Sequence, residues 1–233
     1  MQVPYYLKNV LHLFYPHQCC GCGSDILPGN DLLCLKCTAL LPFTQFETIA
    51  GNTVEKIFYG RVKLSSAFSL FYFSRHQLVQ RLIHQFKYGV NIKLGEYLGK
   101  LMGNALQNNP RFTGLDVLVP LPLHAKKIYK RGFNQAEILC RGIMQVTGLP
   151  VADHLSVIRE KFTETQTHKH RVERWENVVE SFAVQQPEFL KNKHVLIVDD
   201  VVTTGATLES CVMALQHIEG IELSIATLAL ANK

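Results

Sequence analysis

Val195-Leu196-Ile197-Val198-Asp199-Asp200-Val201-Val202-Thr203-Thr204-Gly205-Ala206-Thr207 is the stretch from which the fold can be read. Four consecutive apolar residues, Val195 to Val198, suit a parallel strand buried on both faces. That strand delivers two adjacent carboxylates to its C-terminal end, where open α/β sheets bind ligands. The Thr-Thr-Gly-Ala-Thr turn then opens a helix, marked by the apolar stripe Leu208, Cys211, Val212 and Leu215. Backbone N–H groups and hydroxyls of such a turn, at the positive end of a helix dipole, form an anion cradle. Gly205 lets the backbone approach the anion closely. One unit therefore offers an acidic half and a phosphate-binding half. The plainer reading is a strand ending in two solvated Asp residues before a capped helix.

Working outward, strand-like and helix-like segments alternate from residue 64 onward. Ala67 to Phe73, Asp116 to Val119 and Leu223 to Leu230 read as further strands. Val79, Leu82, Ile83 and Phe86 lie on one helical stripe, as do Leu94, Leu98, Leu101, Met102 and Ala105, which Asn109-Pro110 ends. Asn134 is placed to cap a helix whose apolar face is Ala136, Leu139, Cys140 and Ile143, with Glu137 three residues on. Alternation of this kind predicts an α/β fold with a mainly parallel sheet flanked by helices. Arg159 to Asn177 is polar and irregular, a surface excursion or an active-site cover.

Residues 1–50 differ in composition from the rest and hold five of the seven cysteines. Cys19-x-x-Cys22 and Cys34-x-x-Cys37 are separated by eleven residues. Two such knuckles can offer four thiolates in a tetrahedron about Zn²⁺, and a site with four protein ligands is structural rather than catalytic. Gly21 and Gly23 relieve steric strain at the first knuckle. Cys20 is left outside the tetrahedron, with His17 as a reserve ligand, while Cys140 and Cys211 read as core residues. Four reduced, buried cysteines or a redox pair is the competing reading. The division expected is a zinc-ribbon-like module over 1–50, a connector over 51–63 and an α/β domain over 64–233.

The 233 residues are 47% hydrophobic and 18% charged, which excludes a disordered chain. Their 24 Lys and Arg against 19 Asp and Glu give a formal net charge of +5, compatible with anionic ligands but not specific for nucleic acid. No apolar run reaches the ~18 residues of a membrane span, and no secretory signal is read at the start. An odd, clustered set of cysteines fits a reducing, cytoplasmic setting better than a secreted disulfide framework.

The string 195–207 resembles the 5-phosphoribosyl-1-pyrophosphate (PRPP) signature of type I phosphoribosyltransferases. The resemblance implies that Asp199 and Asp200 hold the ribose hydroxyls. It also implies that Val201 and Val202 lead into a 5-phosphate turn of Thr203, Thr204, Gly205, Ala206 and Thr207. Pro120-Leu121-Pro122-Leu123-His124 looks like the pyrophosphate loop of the same fold. Arg131-Gly132-Phe133-Asn134-Gln135, Phe86-Lys87-Tyr88-Gly89, and Gln166 followed by Arg174-x-x-Asn177 and Phe182 are similar to the ComF family. In that family a phosphoribosyltransferase domain follows a paired C-x-x-C zinc ribbon.

Membership would imply PRPP bound with Mg²⁺, and a transfer needing position and electrostatic stabilisation rather than a covalent nucleophile. Asp199, Asp200 and Arg131 are then the residues on which catalysis would rest. Lys130 and Arg131 would neutralise pyrophosphate, with Lys87 and Arg174 as further ligand contacts, while His168 and His170 read as surface residues. Three functions fit: a transferase with an unidentified acceptor, linked to DNA uptake or nucleotide reuse, a PRPP-binding regulatory module, and a competence factor. The third would contact single-stranded DNA or DNA-uptake proteins through its zinc module and the basic run Lys126, Lys127, Lys130 and Arg131.

Overall fold

The computed structural model describes residues 18–25, 27, 31–74, 77–89, 91–123, 125–153, 156–159 and 182–231. Among them the strands are β1 (Ser66–Phe73), β2 (Val117–Pro120), β3 (Val157–Arg159), β4 (Phe182–Val184), β5 (His194–Val202) and β6 (Glu222–Ala231). The α-helices are α1 (Leu35–Ala39), α2 (Thr53–Phe58), α3 (Leu78–Tyr88), α4 (Ile92–Leu106), α5 (Ala125–Arg131), α6 (Gln135–Thr147), α7 (Pro187–Leu190) and α8 (Ala206–Leu215).

The four stretches read as strands form one parallel sheet in the order β1-β6-β5-β2. Consecutive residues of β5 and β6 are buried, Val195–Val198 and Leu228–Leu230 among them, so both faces of the sheet are covered. The expected helical stripes are the buried faces: Val79, Leu82, Ile83 and Phe86 on α3, Leu94, Leu98 and Met102 on α4, Leu139, Cys140 and Ile143 on α6. Helices α4 and α6 cross where each lacks a side chain. A Cβ on Gly99 would lie 2.3 Å from the Leu139 carbonyl oxygen, and one on Gly142 would lie 2.2 Å from that of Glu96.

The capping prediction at Asn134 is met, its side chain accepting from the Ala136 amide at 3.0 Å. Two features were not foreseen. Residues 51–63 contain α2, capped by Asn52, whose amide also donates to the carbonyls of Phe46, Ile49 and Ala67. β3 and β4 pair as a short antiparallel ribbon at either end of residues 160–181, which lie outside the described set. Residues 42–44 extend the free edge of β1: the Thr44 amide donates to Leu70 O and the Tyr72 amide to Pro42 O, both at 3.0 Å. No helix among the described residues is long and apolar enough to cross a membrane.

Candidate functional site

β2 ends at Pro120, which pairs with Val198, and the Leu121 amide closes on the Val198 carbonyl at 2.8 Å. β5 continues past that point, so Asp199 and Asp200 stand beyond the end of β2. The two strands lead into different layers. β2 feeds α5 and α6, and α6 packs back on β2 and β5, whereas α8 after β5 packs against β4. Such a divergence opens a crevice at the carboxyl ends of the strands.

Asp200 is buried, and its Oδ2 is 2.7 Å from Lys87 Nζ at the end of α3. The Asp200 amide donates to Asp199 Oδ1 at 2.8 Å. Burial, and then the charge of Asp200, push the Asp199 carboxyl up to about 7, against that backbone hydrogen bond and the charges of Lys87 and Arg159. Arg159, the last residue of β3, is a site residue that sequence reading did not isolate. Its guanidinium lies 5.5 Å from the Phe182 ring centroid, and its Nε is buried without a partner among the described residues. Burial lowers its pKa while Asp199 opposes the shift.

Thr203 and Thr204 are exposed at the turn. Gly205, at φ +77°, is the N-cap of α8 and supplies no side chain to cap the first turn; the Ala206 amide makes a long bond, 3.5 Å, to Thr204 Oγ1. A Cβ at Gly205 would fall 2.7 Å from Ile57 Cγ2 and 2.9 Å from Phe58 Cε1, so α2 backs the turn directly. Val202 is core, whereas Val201, Ala206 and Thr207 are more open.

After Pro120, Leu121 is buried and Pro122 and Leu123 are half-buried. Asn134 holds this loop by donating its side-chain amide to Leu121 O at 3.1 Å. Arg131 Nη1 donates to Gln135 Oε1 at 2.9 Å, and Lys130 is exposed. Arg131 is thus anchored to the start of α6 rather than paired with the aspartates. Gln166, His168, His170, Arg174 and Asn177 lie outside the described residues, as do His17 and His124.

The thiols of Cys19, Cys22, Cys34 and Cys37 all lie within 4.8 Å of one another, with Cys22 Sγ and Cys34 Sγ 3.7 Å apart. A tetrahedron with Zn–S bonds of ~2.3 Å has S–S edges of ~3.8 Å, so the set fits a metal such as zinc. The Gly21 and Cys34 amides donate to Cys19 Sγ at 3.4 and 3.3 Å. Burial opposes ionisation of Cys19, but N–H donors from Cys34, Cys22 and Gly21 outweigh it and bring the thiol down to about 6. Cys20 turns away and accepts from Asn91 Nδ2 at 3.6 Å. Cys140 and Cys211 are fully buried, and burial pushes the Cys211 thiol up to about 12.

Residues 128–233 match the family described as Phosphoribosyl transferase domain. Competence protein F of Haemophilus influenzae is 25% identical over 230 residues, covering 94% of this chain and 99% of that protein. DNA utilization protein YhgH of Escherichia coli is 33% identical over 130 residues, 54% of this chain and 56% of YhgH. Competence protein ComFC of Streptococcus pneumoniae is 23% identical over 141 residues, 58% of this chain and 56% of ComFC. The chain is similar to competence protein F along nearly its whole length, and its C-terminal part carries the phosphoribosyl transferase match. The matches to YhgH and ComFC span little more than half of those relatives' own length.

The domain match starts within α5 and takes in Lys130, Arg131 and the whole of 195–207. Lys87, the 120–123 loop and the four cysteines precede it. Of the site residues read from sequence, Lys87, Asp199 and Asp200 are in mutual contact or charge range, and 120–123 adjoins them through Val198.

Proposed function

We propose that this protein binds PRPP with Mg²⁺ at the carboxyl ends of β2 and β5. What supports the reading is one juxtaposition: the Asp199–Asp200 couple near the end of β5, followed by a turn whose N-cap, Gly205, brings no side chain to the N-terminus of α8. The acidic couple takes the ribose 2- and 3-hydroxyls. Thr203 to Thr207 take the 5-phosphate through backbone amides and hydroxyls. Pro120 to Leu123 offer the pyrophosphate loop, and Arg131, Arg159 and Lys130 supply cations for it. When bound, Mg²⁺ supplies charge neutralisation to the diphosphate, and the Asp199 carboxylate, free of the Lys87 pair, is the protein oxygen available to it.

Transfer would break the C1–O bond to pyrophosphate as positive charge grows on the ribose, which the two aspartates stabilise while the cations hold the leaving group. Calorimetry of PRPP with and without Mg²⁺ tests the reading. Binding should require Mg²⁺ and vanish in Asp199→Asn/Asp200→Asn; undiminished affinity in that variant would overturn the assignment. Pyrophosphate release on offering a nitrogen nucleophile marks an enzyme, and silence across bases and amines marks a regulatory module.

A second reading rests on α5. Tyr129, 93% exposed, stands beside exposed Lys130 on a helix that also carries Lys126 and Lys127. An exposed ring beside an exposed lysine suits stacking and a phosphate contact with single-stranded DNA, in keeping with relatives named for competence and DNA utilization. Loss of binding on Tyr129→Ala and a steep salt dependence would support it. The four thiols hold a structural zinc ion in this reading, which fits a cytoplasmic protein.

A further inference from the structure

We infer that α3 couples the four-cysteine centre to the acidic pair, with Arg81 and Gln85 as positioning residues that set Lys87 on Asp200. The inference rests on the reading that the cysteines hold a metal and the aspartates a phosphosugar. It comes from the two faces of one helix. Val79, Leu82, Ile83 and Phe86 face the core, while Leu78, Arg81 and Gln85, at helical spacing, face the first cysteine knuckle. Arg81 Nε donates to Gly21 O at 2.9 Å, and Gln85 Nε2 donates to Cys20 O at 3.0 Å. The contact is close: a Cβ on Gly21 would lie 2.7 Å from both Leu78 Cδ1 and Cys37 Sγ. The knuckle backbone is thus clasped between α3 and the second knuckle.

Two residues beyond Gln85, Lys87 reaches Asp200 Oδ2 at 2.7 Å with a side chain 18% exposed. Between them Phe86 is fully buried, its ring 5.9 Å from that of Phe133 in the segment that carries Arg131. The helix end therefore touches both sides of the crevice. The carbonyls that hold the other face of α3 belong to residues 20 and 21, flanked by Cys19 and Cys22. A knuckle this short has too little apolar surface to hold its shape without a metal. When it loosens, the Arg81 and Gln85 bonds go with it, and a shift of α3 by one hydrogen-bond length releases Lys87 from Asp200. Lys87 thereby reports at the acidic pair whether the cysteine centre is assembled.

The test reads Lys87 directly. Its acylation by an N-hydroxysuccinimide ester is measured by mass spectrometry on the full chain, with Lys191 as reference. Arg81→Ala/Gln85→Ala should raise the Lys87 rate about fivefold while leaving Lys191 and circular dichroism unchanged. Removing metal with a chelator should do the same. Arg81→Lys, which keeps a donor for Gly21 O, should restore much of the protection when combined with Gln85→Ala. An unchanged Lys87 rate overturns the coupling, as does a matching rise at Lys191, which would mean general loosening. PRPP calorimetry on the same samples separates the two readings. A wild-type chain that ignores PRPP overturns the ligand assigned above and leaves the linkage, read from Lys87 alone, standing.

Discussion

The backbone amide of Asp200 donates to the carboxylate of Asp199 at 2.8 Å, so the two acidic neighbours are fixed relative to each other before any ligand arrives. The bond favours a charged Asp199, yet burial and the second carboxylate prevail and its pKa stands at about 7. A raised carboxyl pKa means that the folded chain holds a proton the unfolded chain has lost between about pH 4 and 7. The contribution to stability is full below the unfolded pKa and is lost as pH rises through about 7. Asp199→Asn should therefore melt higher than the wild type at pH 8, by ~3 °C for ~1 kcal/mol, with the difference shrinking towards pH 4. PRPP affinity of the wild type should rise from pH 6 to 8 as the carboxylate forms. Equal melting differences at both pH values would remove this account of Asp199.

Gly205 is where backbone conformation and close packing coincide. Its φ of +77° and the 2.7 Å approach of Ile57 to a notional Cβ act together. Gly205→Ala should cost ~1–2 kcal/mol for the left-handed conformation alone and more for displacing α2. Urea titration measures the stability. Ribose 5-phosphate binding, compared at a denaturant-free temperature where the variant is folded, should fall at least about tenfold, because the turn can no longer close on the anion.

Asn134 performs two separable tasks. Its oxygen caps α6 and its nitrogen holds the Leu121 carbonyl. Asn134→Ala should lose both, with ~1 kcal/mol from the cap. Asn134→Asp keeps the cap but turns an acceptor oxygen toward Leu121 O in place of the donor. If the second task positions the 121–123 loop, Asn134→Asp should bind pyrophosphate more weakly by calorimetry. Equal pyrophosphate affinity in Asn134→Asp and the wild type would show that the tether does not matter to the loop.

The sheet was legible because burial on both faces favours long apolar runs, as in Val195–Val198, and because the helices between strands each carry one clear stripe. The acidic pair and its turn were legible for a similar reason: they are contiguous, so strand, carboxylates and cradle share one string. The ribbon was not, since three-residue strands such as Val157–Arg159 are too short to show alternation, and Arg159 gains its place beside Asp199 only through folding. Helix α2 did leave a signal: Asn52 followed three residues later by Glu55 is a helix-start pattern. There Glu55 Oε2 accepts from the Gly51 amide at 2.6 Å, but six residues are too few for a stripe. The Lys87–Asp200 pair and the docking of Arg81 and Gln85 on the knuckle join distant segments, and no local pattern encodes them.

Four thiols within 4.8 Å, with Cys20 directed instead to Asn91, make a prediction about ligand choice. The chain purified without chelator should carry about one zinc ion, the capacity of one four-thiolate site. Cys20→Ser should keep it, whereas Cys22→Ser or Cys34→Ser should lower the metal content measured by inductively coupled plasma mass spectrometry. Cobalt substitution adds a geometric readout, because four thiolates give tetrahedral Co²⁺ absorption that Cys20→Ser should leave intact and Cys34→Ser should shift. Metal loss in Cys20→Ser equal to that in Cys34→Ser would place the spare thiol inside the tetrahedron. The Asn91 contact would then describe a different arrangement from the metal-bound one.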